Sequence, residues 1–201
     1  MEIDPQIQLR IDRFKADLPV MMVPTLVRKY VTFGDCYALN PEQQFNLKIA
    51  VADYFDIHPS EVLIVGSAKL GFSIAQDKRY CPFGDQSDID VAIVSAYLFD
   101  KIWQQVFNYW EEYENIDSFV YWSRGNDFKG YLFRGWIRPD KLPPTRVFSL
   151  GRDWFEFFRG LTQTGLYGPY NITAGLYKSW YYLEKYQSIR IKECKQDLGE
   201  L

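Results

Sequence analysis

The sequence predicts an α+β fold, a small mixed sheet flanked by helices with further helices at both ends. Three observations carry this. Two short runs, Val62-Leu63-Ile64-Val65 and Val91-Ala92-Ile93-Val94, are continuously apolar, as strands covered on both faces are. Residues 98–112 put Phe99, Ile102, Val106 and Tyr109 or Trp110 on one helical face. Asn40-Pro41-Glu42-Gln43 joins a capping side chain, a proline at the first helical position and an acid in the first turn, which together start a helix.

From the N-terminus, residues 5–31 hold Ile7, Ile11, Phe14 and Leu18 at helical spacing, with a break near Pro19 and a second short stretch opening at Pro24. The helix that begins at Asn40 carries Phe45, Leu47, Ile49, Val51, Tyr54 and Phe55 and ends near Asp56. His58-Pro59-Ser60 reads as a turn. The first strand, 61–65, stops at Gly66-Ser67, and a polar, turn-rich stretch covers 76–87. The second strand, 89–94, has Asp88 and Asp90 at its start. Between 116 and 168 the pattern is weaker. Tyr131-Leu132-Phe133 and Trp136-Ile137 read as strand pieces, Pro139, Pro143 and Pro144 mark an irregular connection, and 153–161 reads as helix. Residues 170–174 read as a third strand and 177–189 as a helix, with the charged last ten residues expected to fray. The 201 residues suit a single domain with its core over 40–190 and an N-terminal helical extension over 1–39.

Composition narrows the class of function. The net charge of −3 excludes a uniformly basic nucleic-acid binder. Residues 121–160 are locally +4, eight Lys and Arg against four Asp and Glu, which fits either a phosphate-facing surface or a solvated face. The 15 Tyr, 15 Phe and 6 Trp chiefly suit a core, although rings of this kind also stack on bases or cover a partner surface, a dimer included. Cys36, Cys81 and Cys194 are odd in number and far apart, and His58 is the one histidine. No zinc spacing results, and free thiols in a reducing cytoplasm are expected. No apolar run has the length of a membrane span, and Met1-Glu2-Ile3-Asp4-Pro5 is acidic where a signal peptide is not.

The chemistry concentrates in Val65-Gly66-Ser67-Ala68-Lys69-Leu70-Gly71-Phe72-Ser73 and Ser87-Asp88-Ile89-Asp90-Val91. Side chains two apart on a strand share a face, so Asp88 and Asp90 aim their carboxylates one way while Ile89 faces the other. Two adjacent carboxylates repel unless a cation lies between them, and oxygen ligands suit Mg²⁺ (or Mn²⁺), which keeps waters and phosphates as further ligands. Gly66 allows a phosphate to approach the backbone, and Ser67 offers a hydroxyl and an N–H.

A strand ending in Gly-Ser, a loop, and Asp-x-Asp on the next strand resemble the DNA-polymerase-β-type nucleotidyltransferase superfamily. The resemblance covers residues 40–115 and more weakly the helix after Tyr177. It implies the fold of that superfamily and transfer of a nucleoside monophosphate from a triphosphate to an acceptor hydroxyl. It assigns Asp88 and Asp90 to metal and catalysis, and Gly66, Ser67, Lys69, Ser87 and Lys178 to the nucleotide. Among acceptors it implies a partner protein, as for minimal nucleotidyltransferase antitoxins, or a nucleotide or nucleic acid, as for bacterial phage-defence synthases. The Gly-Ser-x-x-x-Gly-x-Ser run is similar to the latter. Two departures stand out. Twenty residues separate Ser67 from Asp88, longer than the usual loop, and the piece from Gln76 to Gln86 reads either as a cover for the site or as plain loop. Active members also have a third acid on a later strand, where this chain has Asn171 or Thr173. Asn ligates through its carbonyl but is no base at neutral pH. Of Asp117, Asp127, Asp140 and Glu156, Asp117 is the preferred substitute. A non-catalytic module that binds a nucleotide or a partner protein is the alternative reading.

Overall fold

The computed structural model describes residues 3–84, 86–113, 122, 127–143 and 148–199. Helix α1 (Pro5–Val20) is capped by Asp4 and takes Pro19 into its last turn, and α2 (Val23–Val27) continues into a π-helical turn over Arg28–Thr32. Helix α3 (Pro41–Phe55) starts at a capping box: the Asn40 side chain accepts from Gln43 N–H at 2.9 Å, and the Gln43 side chain accepts from Asn40 N–H at 3.0 Å. It stops where Asp56 turns left-handed. Strand β1 (Val62–Val65) leads directly into a short helix α4 (Gly66–Leu70). Strand β2 (Ile89–Val94) is followed by α5 (Ala96–Tyr113), α6 (Phe128–Phe133), β3 (Trp136–Ile137), α7 (Leu150–Gln163), β4 (Ile172–Tyr177) and α8 (Trp180–Gly199).

Among the described residues four strands form one mixed sheet in the order β1-β2-β4-β3, in which only β2 and β4 run parallel. Alternation along each strand feeds two separate cores. Val62, Ile64, Ile89, Val91, Ile93, Ile172 and Leu176 face α3, α5 and α7, packing on Leu47, Phe55, Phe99, Ile102 and Trp154. Leu63, Val65, Ala92, Val94 and Tyr177 face α1, α2 and α8, packing on Phe14, Leu18, Leu26, Leu183 and Ile191. The molecule is therefore helix, sheet, helix in three layers, and the N-terminal helices supply part of the second outer layer.

Three expected elements differ. Tyr131-Leu132-Phe133 is helical, within α6, and Phe133 is 90% exposed, as no strand of a covered sheet would leave it. The third strand begins at Ile172 and runs to Tyr177, through Gly175. A Cβ on Gly175 would lie 2.7 Å from Trp136 Nε1, so this glycine admits the indole rather than ending the strand. The last helix consequently starts at Trp180, not at Tyr177, and continues to Gly199 because Leu183, Ile191 and Cys194 hold it to the sheet. No helix among the described residues is long and apolar enough to cross a membrane.

The capping box makes a direct test of how α3 is started. Asn40→Ala is expected to lower stability to urea by about 1 kcal/mol, and Asn40→Gly by only a fraction of that.

Candidate functional site

Register brings the motif residues together. Val65 of β1 lies opposite Asp90 of β2, so the chain leaves β1 at Gly66 directly beside the Asp90 carboxylate. Gly66 has φ +67°, and a Cβ there would lie 2.7 Å from Asp90 Oδ2. Glycine is needed twice over, for the left-handed backbone and for the close approach. On its other side β2 pairs with β4, which sets Asp90 opposite Thr173. Thr173 Oγ1 donates to Asp90 Oδ1 at 3.0 Å, and Asn171 Nδ2 donates to Asp88 Oδ1 at 3.3 Å. Asp88 and Asp90 share the face opposite Ile89, which is buried in the first core.

Asp90 is open to a cavity yet set deep among protein atoms. That burial pushes its carboxyl above the ordinary carboxylate range, the Thr173 hydroxyl opposes the shift, and the negative charge of Asp88 adds to it. Among the described residues neither aspartate forms an ion pair. The oxygens of both are hard donors: Asp90 stands on the wall of a cavity of about 870 Å³, which Gly66, Ser67, Asn171 and Thr173 also line, and Asp88 is exposed beside that lining, bonded to Asn171. That donor set fits a divalent cation such as Mg²⁺ or Mn²⁺.

The cavity runs along the edge of β4. Strand β3 pairs only with Leu176 and Tyr177, so residues 172–175 have no strand on that side among the described residues. The Thr162 hydroxyl takes the Ile172 N–H at 2.9 Å instead. Helices α7 and α8 flank the opening, with Arg159 from the first and Gln187 and Arg190 from the second. Arg138, just past β3, completes the cationic rim, its guanidinium held by both Asp140 oxygens at 3.0 Å. Arg190 pairs with Glu193 at 3.1 Å, whereas Arg159 is exposed and without a partner among the described residues.

Of the residues expected at the nucleotide, Gly66 and Ser67 are where the motif puts them and three are elsewhere. Lys69 is two residues past Ser67 on α4, about 200° around the helix. It is only 8% exposed, donates to the Gly34 carbonyl, and lines a separate cavity with Arg10, Arg13 and Lys29. Burial holds its ammonium below the usual lysine range. Ser87 closes a turn, its Oγ accepting from Gly84 N–H at 3.1 Å. Lys178 lies past the far end of β4, about 16 Å along the strand from Thr173, where it pairs with Asp100 at 2.7 Å. The stretch from Gln76 to Gln86 does not line the cavity: its described part folds back on residues 71–73, and Phe83 packs on Tyr37 and Tyr170.

The substitutes for a third acid are equally dispersed. Asp140 reaches the cavity rim but is spent on Arg138 and Lys141, Asp127 precedes α6, Glu156 is exposed on α7, and Asp117 lies outside the described residues. No group of three or more His, Cys, Asp or Glu able to hold a metal occurs among the described residues. Arg138, Arg159, Arg190 and Gln187 went unassigned in the sequence. The basic stretch 121–160 held the first two, and only the fold singles them out within it. No family model, curated protein or solved structure matches the chain.

Two results are expected. Gly66→Ala lowers stability by about 1–3 kcal/mol through left-handed strain and the clash with Asp90. The loss is smaller in an Asp90→Ala background, and a double-mutant cycle by urea unfolding measures the difference. In metal-free buffer Asp90→Asn melts above the parent at pH 7. Because the folded carboxyl titrates above its unfolded value, the penalty is fully present above the folded pKa and vanishes below the unfolded one. The gap in melting temperature therefore closes as the pH is lowered toward 4.

Proposed function

We propose that this chain is a nucleotidyltransferase of the DNA-polymerase-β type, which moves a nucleoside monophosphate from a triphosphate to an acceptor hydroxyl. The observation that carries the reading is Gly66 pressed against Asp90 at the cavity wall, with Asp88 two residues away on the same face of the strand. A strand-end glycine, a serine and two same-face carboxylates are then one constellation, not a coincidence of spacing.

In this reading Asp88 and Asp90 hold Mg²⁺ or Mn²⁺, with Asn171 beside them as a neutral oxygen ligand once its amide is rotated. The metal, when bound, neutralises the triphosphate and stabilises the oxygens that enter and leave at phosphorus. Gly66 leaves room for the phosphates against the backbone. Ser67 donates to them, and Arg159, whose charge has no partner among the described residues, draws them into the cavity. The acceptor oxygen bonds to the α-phosphorus, the bond to the bridging oxygen breaks, and pyrophosphate leaves. The acceptor's proton passes to solvent on the exposed side at Asp88, since Asn171 is no base. Catalysis is then positioning and charge stabilisation.

A second reading has one observation in its favour. Asn171 and Thr173 stand at the strand position of a third acid, and both are used as donors to the pair. A protein so built binds a nucleotide or a partner protein without turnover.

Each α-labelled nucleoside triphosphate, incubated with the chain and Mg²⁺ or Mn²⁺ in the presence of nucleotide, nucleic-acid and protein acceptors, separates the two. The enzyme releases pyrophosphate and transfers label, and Asp90→Asn lowers the rate about 10²–10³-fold, the loss expected when a group that stabilises transition-state charge is removed. Binding without turnover under every combination supports the module.

A further inference from the structure

The far end of the cavity has no role in the reaction above. Helix α8 buries one stripe, Leu183, Gln187, Ile191 and Cys194. A stripe of this kind is ordinarily apolar throughout, and Gln187 interrupts it. The residue is 9% exposed, and its amide has no hydrogen-bond partner among the described residues. The amide atoms themselves are not sealed in the core but reach the cavity, so this polar end is aimed into that space. Leu or Met would complete the stripe but place no polar group there.

Gln187 lines the cavity together with Trp136, Tyr177 and Tyr186. These rings form an apolar end. Trp136 and Tyr177 lie 5.5 Å apart and 7° from parallel, and Tyr186 meets Trp136 at 4.5 Å. Trp136 Nε1 is a buried donor without an acceptor among the described residues. Asp90 occupies the other end, with Asp88 beside it on the strand. Gly175 and Tyr177 lie two and four residues along β4 from Thr173, hence about 7 and 13 Å from it. One ligand that spans the cavity thus meets oxygen donors at one end and rings with an unpaired amide at the other. A polyphosphate joined through a sugar to a flat ring with a polar edge has that order of groups.

We propose that this end is a nucleobase pocket and that Gln187 is the specificity-determining residue, its amide donating to and accepting from the edge of the base. The proposal rests on the nucleotide reading of Asp88 and Asp90. A glutamine amide pairs a donor with an acceptor and so matches a base edge that offers both.

Titration calorimetry of the full chain with Mn²⁺ tests it, using tripolyphosphate and the non-hydrolysable α,β-methylene analogues of the four nucleoside triphosphates. At least one analogue is expected to bind about tenfold more tightly than tripolyphosphate, the margin of one good hydrogen bond. Gln187→Leu is expected to remove that margin and leave tripolyphosphate binding unchanged. Gln187→Glu, which keeps the size and loses the donors, is expected to reorder the four bases, and it carries the test if leucine does not pack. A margin that survives in these variants, or a parent without one, overturns the pocket. If neither tripolyphosphate nor any analogue binds, the nucleotide reading itself falls.

Discussion

Asp90 is a carboxylate on the central strand of a sheet covered on both faces, and much of the molecule is arranged around it. Strand β2 pairs with β1 on one side and β4 on the other, so every neighbour of Asp90 is fixed by register. The neighbour on β1 is the chain's exit at Gly66, which has no side chain to collide with the carboxylate. The neighbour on β4 is Thr173, short enough to fit and able to donate a hydrogen bond. A larger residue at the first place would collide with the carboxylate, and an apolar one at the second would remove the hydrogen bond it accepts. The second core stops at this point for the same reason. It fills the sheet face from Leu63 to Val94 and gives way to a cavity where the polar residue stands.

The two outer layers follow from the same alternation. Ile89, Val91 and Ile93 commit one face of β2 to α3, α5 and α7, and that face closes completely. The opposite face must be both covered and open. Helices α1 and α2 cover the β1 side, and α8 crosses above β4 without sealing it. Strand β3 is only two residues long, so the edge of β4 beside Asp90 is left to the Thr162 hydroxyl. A short edge strand usually limits aggregation. Here it also leaves the β4 edge lining the cavity on the side of α7.

What could be read in the sequence is what depends on neighbours in sequence. The period of two on a strand placed Asp88 and Asp90 on one face, and Asn40-Pro41 started α3. Gly66-Ser67 at a strand end carried its meaning locally too. Lys69 was misplaced because its role depends on helical phase: two residues of α4 turn it to the other side of the protein, into contact with the Gly34 carbonyl. Lys178 was misplaced because the pattern puts the third strand over 170–174 and the helix from Tyr177, whereas the strand runs through Gly175 to Tyr177. The function of Gly175, making room for the Trp136 indole, requires knowing that residue 136 lies above residue 175. Arg138, Arg159 and Arg190 come from three separate elements and share a rim only after folding. Gln187 was the exception. A lone amide in an otherwise buried stripe was visible once the helix was drawn with its full length, and the shorter helix ending near residue 189 concealed the stripe.

The charges of the site are kept apart, and that separation decides how it can be used. Asp88 and Asp90 have no cation within ion-pair distance among the described residues, although three arginines line the cavity at Asp90. Two of those arginines are held by Asp140 and Glu193 instead. A guanidinium at Asp90 would offset the desolvation that raises its carboxyl, yet none is placed there among the described residues, and the carboxylate stays open to the cavity. Metal bound at the carboxylates together with phosphates drawn toward the arginines would satisfy both groups at once. A simple anion would satisfy only the rim, and a simple cation only the aspartates. The separation therefore favours a ligand that brings both signs of charge, which is how a metal-bound triphosphate is built.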